Sequence, residues 1–581
     1  MKKIILSCFL FSCFFCSWVM SAEHEEKRQA GDRAARLQPE EEGGGPTRSG
    51  EKHITGGLLD DDAAAAKGRR QRLKSLSMID AQNPFTFERD AYADVLVMRG
   101  SRLGTGQNIS QQLEGVRVLK MVGTNVRDDV IPVTNAIADA KSLECIEISE
   151  SVTDNTFLFF LGLVINRNGN IKTIIVDNNS IGVGGNIGLK AFLLGIYDKK
   201  DLQHFSFRHM DIYRRQVPFD EQYVLRKAGY PSFVEDKIVT DVSGEKEHEI
   251  KFYNKLVIRW LAEDFLGAHP NLKTFDITGS FSCPTNEAHK RAVDKIRAAK
   301  THDELRAILA AVSSELKLDT FEDKGDRQLE KLKGGAIELL AQAHMQDREH
   351  LFAILDGVAT LKNLQVLGLG HIIFDEFAIR KLAHVLAGLR QQQSRDGKTA
   401  SGNDLKVLHL PGVMKGSQNL SDLARVFSGW VDLEEVNLAH NKIGSKGLHF
   451  FGELLNEVRA LRVLNVADND LFAGSGGVTR GIDALSAGIL SRKDTLEALN
   501  LAGNNMRHTD LSHLEDALKA CRSLRVLDLR GNQLTEKSFD LLKGLLKALP
   551  QIEQILLSGN NVSRAVYEQR LTLSQKEKIK M

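Results

Sequence analysis

Three histidines, His371, His409 and His440, recur in neighbouring segments of the chain. Imidazole is the commonest metal ligand in proteins and changes charge near neutral pH. Three such rings on adjacent elements could therefore form a metal site or a pH switch. Each histidine lies in a short hydrophobic segment, but His409 stands three positions earlier in its segment than the other two. We therefore expect the three rings not to converge, and we predict no metal site.

Few other groups in the sequence could carry out catalysis. The chain has no GxxxxGK[ST] phosphate loop, no HExxH zinc motif and no GxSxG nucleophile motif. Three of its six cysteines lie in an apolar N-terminal leader. The others, Cys145, Cys283 and Cys521, are too far apart for a zinc site or a disulfide framework. We predict that the protein is not an enzyme and needs no cofactor.

A repeated sequence pattern indicates the elements that position these residues. Its clearest form is Leu433-x-x-Val436-x-Leu438-x-x-Asn441, and it begins again 28 residues later at Leu461. Because strand side chains alternate, the apolar residues at the first, fourth and sixth positions project inward from a short strand. The asparagine at the ninth position can bond the backbone of the following turn, and apolar residues at helical spacing come next. One strand, turn and helix cannot bury both layers alone, so the units must stack.

The pattern extends over most of the chain. Twelve segments fit it, beginning at Val116, Leu143, Ile171, Leu202, Leu272, Leu364, Leu405, Leu433, Leu461, Leu496, Leu524 and Ile552. A degenerate strand is expected before them, around residues 96–98. Stacking of about twelve units predicts an α/β fold, a right-handed solenoid with parallel strands on the concave face and helices on the convex face.

This unit resembles the leucine-rich repeat. Its length, its asparagine and its helix are similar to those of the ribonuclease-inhibitor-like class. The resemblance implies a horseshoe whose function lies on its exposed surface. The ribonuclease inhibitors and the Ran GTPase-activating protein have similar repeats, so regulation of an enzyme is an alternative function. Ribonuclease inhibitors are rich in cysteine and the GTPase-activating family has an acidic C-terminal tail, and this chain has neither feature.

The repeat domain is predicted to span residues 86–565, with three interruptions. An irregular loop is expected at residues 213–247, a helical insertion at residues 284–345 and a flexible loop at residues 391–403. A C-terminal tail is expected at residues 566–581. The insertion is either an enlarged outer face of the array or a protruding subdomain that contacts a partner.

The N-terminus indicates export. Lys2 and Lys3 precede an apolar run over residues 4–20, which is typical of a bacterial secretory signal peptide ending near residue 22. A secreted or periplasmic protein is expected, and an uncleaved leader or a lipid would instead anchor it to the membrane. Residues 23–85 are rich in charges of both signs and poor in apolar groups, so we predict a disordered linker.

The side chains at the third, fifth, seventh and eighth positions of each repeat should line the concave face. The partner-binding residues predicted in this way are His204, Arg208, His209, Asp276, His371, His409, Glu435, Asn437, His440, Asn465, Asp468, Asn500, Asp528 and Arg530. They are polar and of mixed charge, and the whole chain carries a formal net charge of +1. We therefore expect a non-catalytic scaffold that binds a protein partner, as a secreted effector or a surface factor. We expect no nucleic acid, no membrane contact beyond the export signal, and a monomer.

Overall fold

The computed structural model describes residues 86–89 and 94–581 with gaps. The gaps are residues 104–106, 127–128, 154, 178, 182–191, 194, 198, 210–258, 260, 281–285, 317–328, 373, 396–404, 415, 418–419, 428–429, 431 and 475–477. The predicted signal peptide, the charged linker and the predicted loop at residues 213–247 lie outside the described residues.

The described strands form one long open sheet, with a separate two-stranded sheet of β5 and β7. Strands are numbered in chain order as β1 Thr86–Arg89, β2 Val95–Gly100, β3 Val118–Thr124, β4 Cys145–Ser149, β5 Val152–Thr153, β6 Thr173–Asp177, β7 Ser180–Ile181, β8 His204–Ser206, β9 Thr274–Asp276, β10 Val366–Gly368, β11 Val407–His409, β12 Glu435–Asn437, β13 Val463–Asn465, β14 Ala498–Asn500, β15 Val526–Asp528, β16 Gln554–Leu556 and β17 Ile579–Lys580. Neighbours in the long sheet pair in parallel, except that β1 pairs antiparallel with β2. All twelve strands expected from the repeat pattern are present, and β2 is the degenerate strand expected before them.

Helices connect successive strands of the long sheet. They are α1 Ile109–Gln112, α2 Val130–Asp139, α3 Asn155–Arg167, α4 Leu266–Ala268, α5 Asn286–Ala298, α6 His302–Leu316, α7 Leu329–Ala359, α8 Glu376–Arg395, α9 Leu420–Phe427, α10 Lys446–Glu457, α11 Val478–Ser491, α12 His508–Ala520, α13 Phe539–Ala548, α14 Arg564–Arg570 and α15 Leu573–Lys578. A π-helical turn, Leu261–Phe265, precedes α4, and a 3-10 turn, Glu536–Ser538, precedes α13. The predicted α/β solenoid is confirmed.

The hydrophobic core lies between the sheet and the helices. The fourth position of each repeat faces its equivalents in neighbouring strands, so that Leu499 pairs with Leu464 on one side and Leu527 on the other. All three side chains are buried, and they pack together with the apolar faces of helices such as α10, where Phe451 and Leu455 are buried. Because every repeat repeats this arrangement, the core continues along the array.

Buried asparagines at the ninth position join successive turns. Asn504 donates to the backbone oxygens of Val466, at 2.9 Å, and Leu501, at 3.1 Å. Its Oδ1 accepts hydrogen bonds from the backbone amides of Asn469, at 3.0 Å, and Leu471, at 3.3 Å. Each asparagine therefore satisfies backbone groups that no strand partner reaches, which explains why this residue type recurs there.

The two long interruptions leave the pairing of the sheet intact. Strand β8 pairs directly with β9, and β9 with β10, although many residues separate them in sequence. The segment expected to be a helical insertion contains α5, α6 and the start of α7. These helices form a separate small hydrophobic cluster, made of Ala292, Val293, Ile296, Ala299, Leu305 and Ala336. The later part of α7, from Leu351 onward, packs into the main core.

Two boundaries differ from the sequence prediction. Helix α8 extends to Arg395, five residues into the segment expected to be a loop. Residues 566–581 do not form a tail, because Ile579 is fully buried and β17 adds a parallel strand next to β16. The hydroxyl of Tyr567 donates to the backbone oxygen of Ile579 at 2.7 Å. This last segment covers the otherwise open apolar edge of β16.

Candidate functional site

The concave face of the sheet consists of four rows of side chains. The rows follow the third, fifth, seventh and eighth positions, because equivalent positions on neighbouring strands are in register. Glu435 lies beside Val463, for example, and Asn437 beside Asn465. A residue's position in the repeat therefore decides which row it joins, and its strand decides where along the row it lies.

A buried ion pair links two of these strands near the N-terminal half. Oδ2 of Asp177 accepts hydrogen bonds from Nε of Arg208, at 2.8 Å, and lies 2.7 Å from Nη2 of Arg208. Its Oδ1 accepts from the hydroxyl of Ser206 at 2.9 Å and from the backbone amide of Arg208 at 2.8 Å. Burial raises the pKa of Asp177, and the charge and backbone amide of Arg208 offset this effect only in part.

A second group of buried charges follows on the next strands. Oδ1 of Asp276 accepts from the backbone amide of Thr278 at 3.0 Å. Its Oδ2 lies 3.9 Å from Nε of Arg208 and 3.9 Å from Nδ1 of His409. Nε2 of His409 lies 2.8 Å from Oε1 of Glu435. Burial alone would raise the pKa of Asp276, but its interactions with His409 and Arg208 outweigh burial and lower that pKa well below its usual range.

These buried charges occupy positions that we predicted to bind a partner. Six of the predicted site residues are buried, namely Asp276, His409, Glu435, Asn500, Asp528 and Arg530. Arg530 turns back onto the carboxylate two residues before it, with Nη2 2.6 Å from Oδ2 of Asp528. Their polar groups are used within the fold, because neighbouring side chains on the concave face cover one another.

The other predicted residues remain accessible. His204, Arg208, His209, His371, Asn437, His440 and Asn465 are half-buried, and Asp468 is exposed. At the fifth position, Oδ1 of Asn437 and Oδ1 of Asn465 each accept from the backbone amide two residues later, at 3.1 Å. This bond orients both side chains at the surface. The fifth-position row of Asn437, Asn465, Asn500 and Asp528 thus has a structural role, and only Asn437 and Asn465 are accessible.

Two repeat family models match the sequence. One leucine-rich repeat model covers residues 432–451 and another covers residues 523–545. Both matches begin within one residue of a repeat start identified above, at Leu433 and Leu524, and both segments form a strand in register with the rest of the sheet. This protein is a leucine-rich repeat protein. The ribonuclease-inhibitor-like class stays a prediction.

Several solved structures resemble the leucine-rich repeat array. A leucine-rich repeat protein of Leptospira interrogans is 12% identical, covers 83% of this chain and 95% of its own, and has a TM-score of 0.30. An internalin of Listeria monocytogenes is 11% identical, with coverages of 89% and 94% and a TM-score of 0.26. A leucine-rich repeat protein of Legionella pneumophila is 13% identical, with coverages of 81% and 96% and a TM-score of 0.27. No curated protein matches the chain.

Histidines of the leucine-rich repeat array meet at the eighth position. The ring centroids of His209 and His371 are 6.0 Å apart, and those of His371 and His440 are 5.8 Å apart. The three histidines predicted not to converge do not all meet, because His409 contacts Asp276 and Glu435 instead. His371 and His440, which share the eighth position, do lie next to each other. The strands between them carry Gly279 and Gly412 at this position, so no side chain separates the rings.

The third-position row is more apolar than we expected. Val118, Val366, Val463 and Val526 are half-buried on the concave face, where the predicted surface contained only polar groups. The seventh-position row is small and closely packed, with Ala439, Ala467 and Ala502 forming a buried cluster. A valine directly before the central leucine, as in Val463 and Val526, is the sequence signal that reveals the apolar row.

Charges alternate along the second positions, at the edge of the sheet. Arg117 pairs with Glu144 at 2.8 Å, Lys406 with Glu434 at 2.6 Å, and Arg462 with Glu497 at 2.5 Å, and Arg525 also pairs with Glu553. Each pair joins neighbouring repeats, and each contributes roughly 0.2–1 kcal/mol when exposed. These ion pairs stabilise the observed register of the strands, and their charged groups pair with one another rather than with a ligand. The alternation of charge is visible in the sequence once the repeats are aligned.

Proposed function

We propose that this leucine-rich repeat protein is a non-catalytic scaffold that binds a protein partner on its concave face. The proposal rests on the pairing of an apolar row with polar rows on one rigid sheet. Val463 and its equivalents offer half-buried apolar surface, and Asn437, Asn465 and Asp468 offer hydrogen-bonding groups beside it. Protein interfaces combine a desolvated apolar centre with a polar rim in this way.

The proposed binding region lies on β12 and β13 and the turns that follow them. Its accessible polar groups are Asn437, His440, Asn465 and Asp468, and Val463 adds half-buried apolar surface at the start of β13. The amides are held by backbone hydrogen bonds, so little side-chain entropy is lost when a partner binds. Glu435 and Asp528, which the sequence predicts as contacts, are buried, and their carboxylates bond within the fold.

We further propose that the protein is exported and acts outside the bacterial cytoplasm, as a secreted effector or a surface factor. The basic start of the chain and the apolar run over residues 4–20 support this proposal. Among the described helices, none is both long and apolar enough to cross a membrane.

A photocrosslinking experiment tests which face binds. A photoreactive amino acid replaces Asn465 on the concave face, and in a control replaces Glu453, an exposed residue of helix α10. We expect a crosslinked protein partner from the position of Asn465 and none from the position of Glu453. Crosslinks only from the position of Glu453, or none from the position of Asn465, would overturn the proposed binding face.

A further inference from the structure

The histidine row at the eighth position lies at the carboxyl ends of the strands. His371 follows β10 and His440 follows β12, and the intervening β11 contributes Gly412 to the row. A β-carbon on Gly412 would lie 2.6 Å from Nδ1 of His371, so the His371 ring lies directly over this glycine. Gly412 also has a positive φ of 62°, which glycine adopts most easily. Its lack of a side chain is what lets the two imidazole rings meet across a full strand.

The distance between the two rings fits a shared metal ion. A metal lies 2.0–2.1 Å from a coordinating imidazole nitrogen, so it lies about 3.2 Å from the ring centroid. Two rings on one ion therefore have centroids no more than about 6.4 Å apart. The 5.8 Å separation of the His371 and His440 centroids is within that limit.

Asp468 orients one of the two rings. Its Oδ2 lies 3.2 Å from Nδ1 of His440. Because Nδ1 is occupied by this contact, Nε2 is the nitrogen of His440 that can bind a metal. A carboxylate that holds the second nitrogen of a ligating histidine fixes the ring and makes it a better ligand. Asp468 has a positive φ of 53°, as His371 and His440 do at the same position of their repeats, so the turns place these side chains in one row.

We propose that His371 and His440 bind a divalent transition-metal ion of the kind that imidazole favours, such as Zn²⁺, with Asp468 as the positioning residue. In the part of the chain that the structure describes, no three His, Cys, Asp or Glu side chains surround one point. The site therefore has two protein ligands, with Nε2 of His440 as the ligand atom of that ring, and water completes the coordination. Hard ions such as Ca²⁺ prefer oxygen ligands and do not fit it.

Titration calorimetry of the full chain with ZnCl₂ tests this site without any partner. The chain contains 17 histidines, any of which could bind Zn²⁺ weakly. Binding by the wild type alone therefore does not locate the site, and the variants must show which histidines hold the ion. We expect the double variant His371→Gln/His440→Gln to remove one Zn²⁺ per chain. We expect Asp468→Asn to weaken that site about 10-fold to 100-fold, as loss of an orienting carboxylate does. CaCl₂ should give no binding.

The control is His449→Gln, because His449 is an exposed histidine on α10 that pairs with Glu453 at 3.3 Å. This variant should keep the full Zn²⁺ affinity and stoichiometry. Thermal unfolding of each apoprotein shows that the half-buried substitutions leave the fold intact. Equal Zn²⁺ binding by the wild type and the folded double variant, or no Zn²⁺ binding by the wild type, would overturn the site.

Discussion

The carboxylate of Asp276 fills the space that a side chain on Gly368 would need. The two residues are paired in register on β9 and β10, and a β-carbon on Gly368 would lie 2.0 Å from Oδ1 of Asp276. Asp276 thereby extends across β10 toward His409 on β11, which in turn contacts Glu435. Glycine at this position allows the buried ionisable groups of Asp276, His409 and Glu435, on β9, β11 and β12, to compensate one another across β10.

Replacing Gly368 by alanine should destabilise the fold. The added methyl group collides with the carboxylate of Asp276, which is fully buried and held by the backbone amide of Thr278. Overpacking of this kind costs about 1–3 kcal/mol. Urea denaturation followed by circular dichroism measures the free energy of unfolding. Gly388→Ala is the control, because its new methyl group in helix α8 meets nothing within 4 Å. That variant should gain about 0.5–1 kcal/mol, and equal stability of both variants would contradict the argument.

Asn504→Ala should be among the more damaging single substitutions. It leaves the backbone amides of Asn469 and Leu471 without their hydrogen-bond partner in the buried turn. It also removes one donor from the carbonyls of Val466 and Leu501, so we expect a loss of about 2–4 kcal/mol. Asn437→Ala is the comparison, because the half-buried Asn437 has one such bond, to the amide of Ala439. Its cost should be about 1 kcal/mol. Thermal and urea unfolding give both values, and a smaller loss for Asn504→Ala would sink the structural explanation of the ninth position.

His204 should make stability depend on pH. Burial, aided by the charge of Lys273, lowers the pKa of His204 to about 4. Between about pH 6.5 and pH 4 the unfolded chain therefore binds a proton that the folded chain does not, and stability falls as the pH falls. The free energy of unfolding is not reduced by His204 above pH 6.5, and it falls by roughly 2–3 kcal/mol as the pH is lowered toward 4.

The variant His204→Gln isolates this contribution. Glutamine can still bond the hydroxyl of Thr274, which now lies 2.8 Å from Nδ1 of His204, but it does not titrate. Unfolding free energies at a series of pH values should show a shallower decline for the variant than for the wild type. Parallel curves would show that His204 does not titrate differently in the two states.

The repeat pattern predicted the fold because one physical requirement recurs in every unit. Residues such as Leu464 and Leu499 must be buried at a fixed spacing, and that spacing determines the strand, its register and its neighbour. The sequence could not show that residues 566–581 form a final strand, because Ile579 begins no recognisable repeat. The interruptions, likewise, follow no pattern that fixes their packing.

The candidate site was less predictable than the fold. Alternation identifies which side chains face the concave surface, but it does not say which of them cover one another, so Asp528 and Asn465 looked equivalent. Asp528 is fully buried, whereas Asn465 is accessible. The meeting of His371 and His440 depended on Gly412, and only the register of three strands places that glycine between them.

The affinity of the purified partner for concave-face variants tests the proposed function most directly. The double variant Asn437→Arg/Asn465→Arg puts two long charged side chains on the proposed interface without touching the buried residues. Glu453→Arg on the convex helix α10 is the matched control. We predict that the double variant loses at least about tenfold in affinity, or about 1.4 kcal/mol, and that the control binds like the wild type. The double variant should still unfold in one cooperative transition, at a somewhat lower temperature because two backbone amides lose their side-chain acceptor. Full affinity in the folded double variant would contradict partner binding by the concave face.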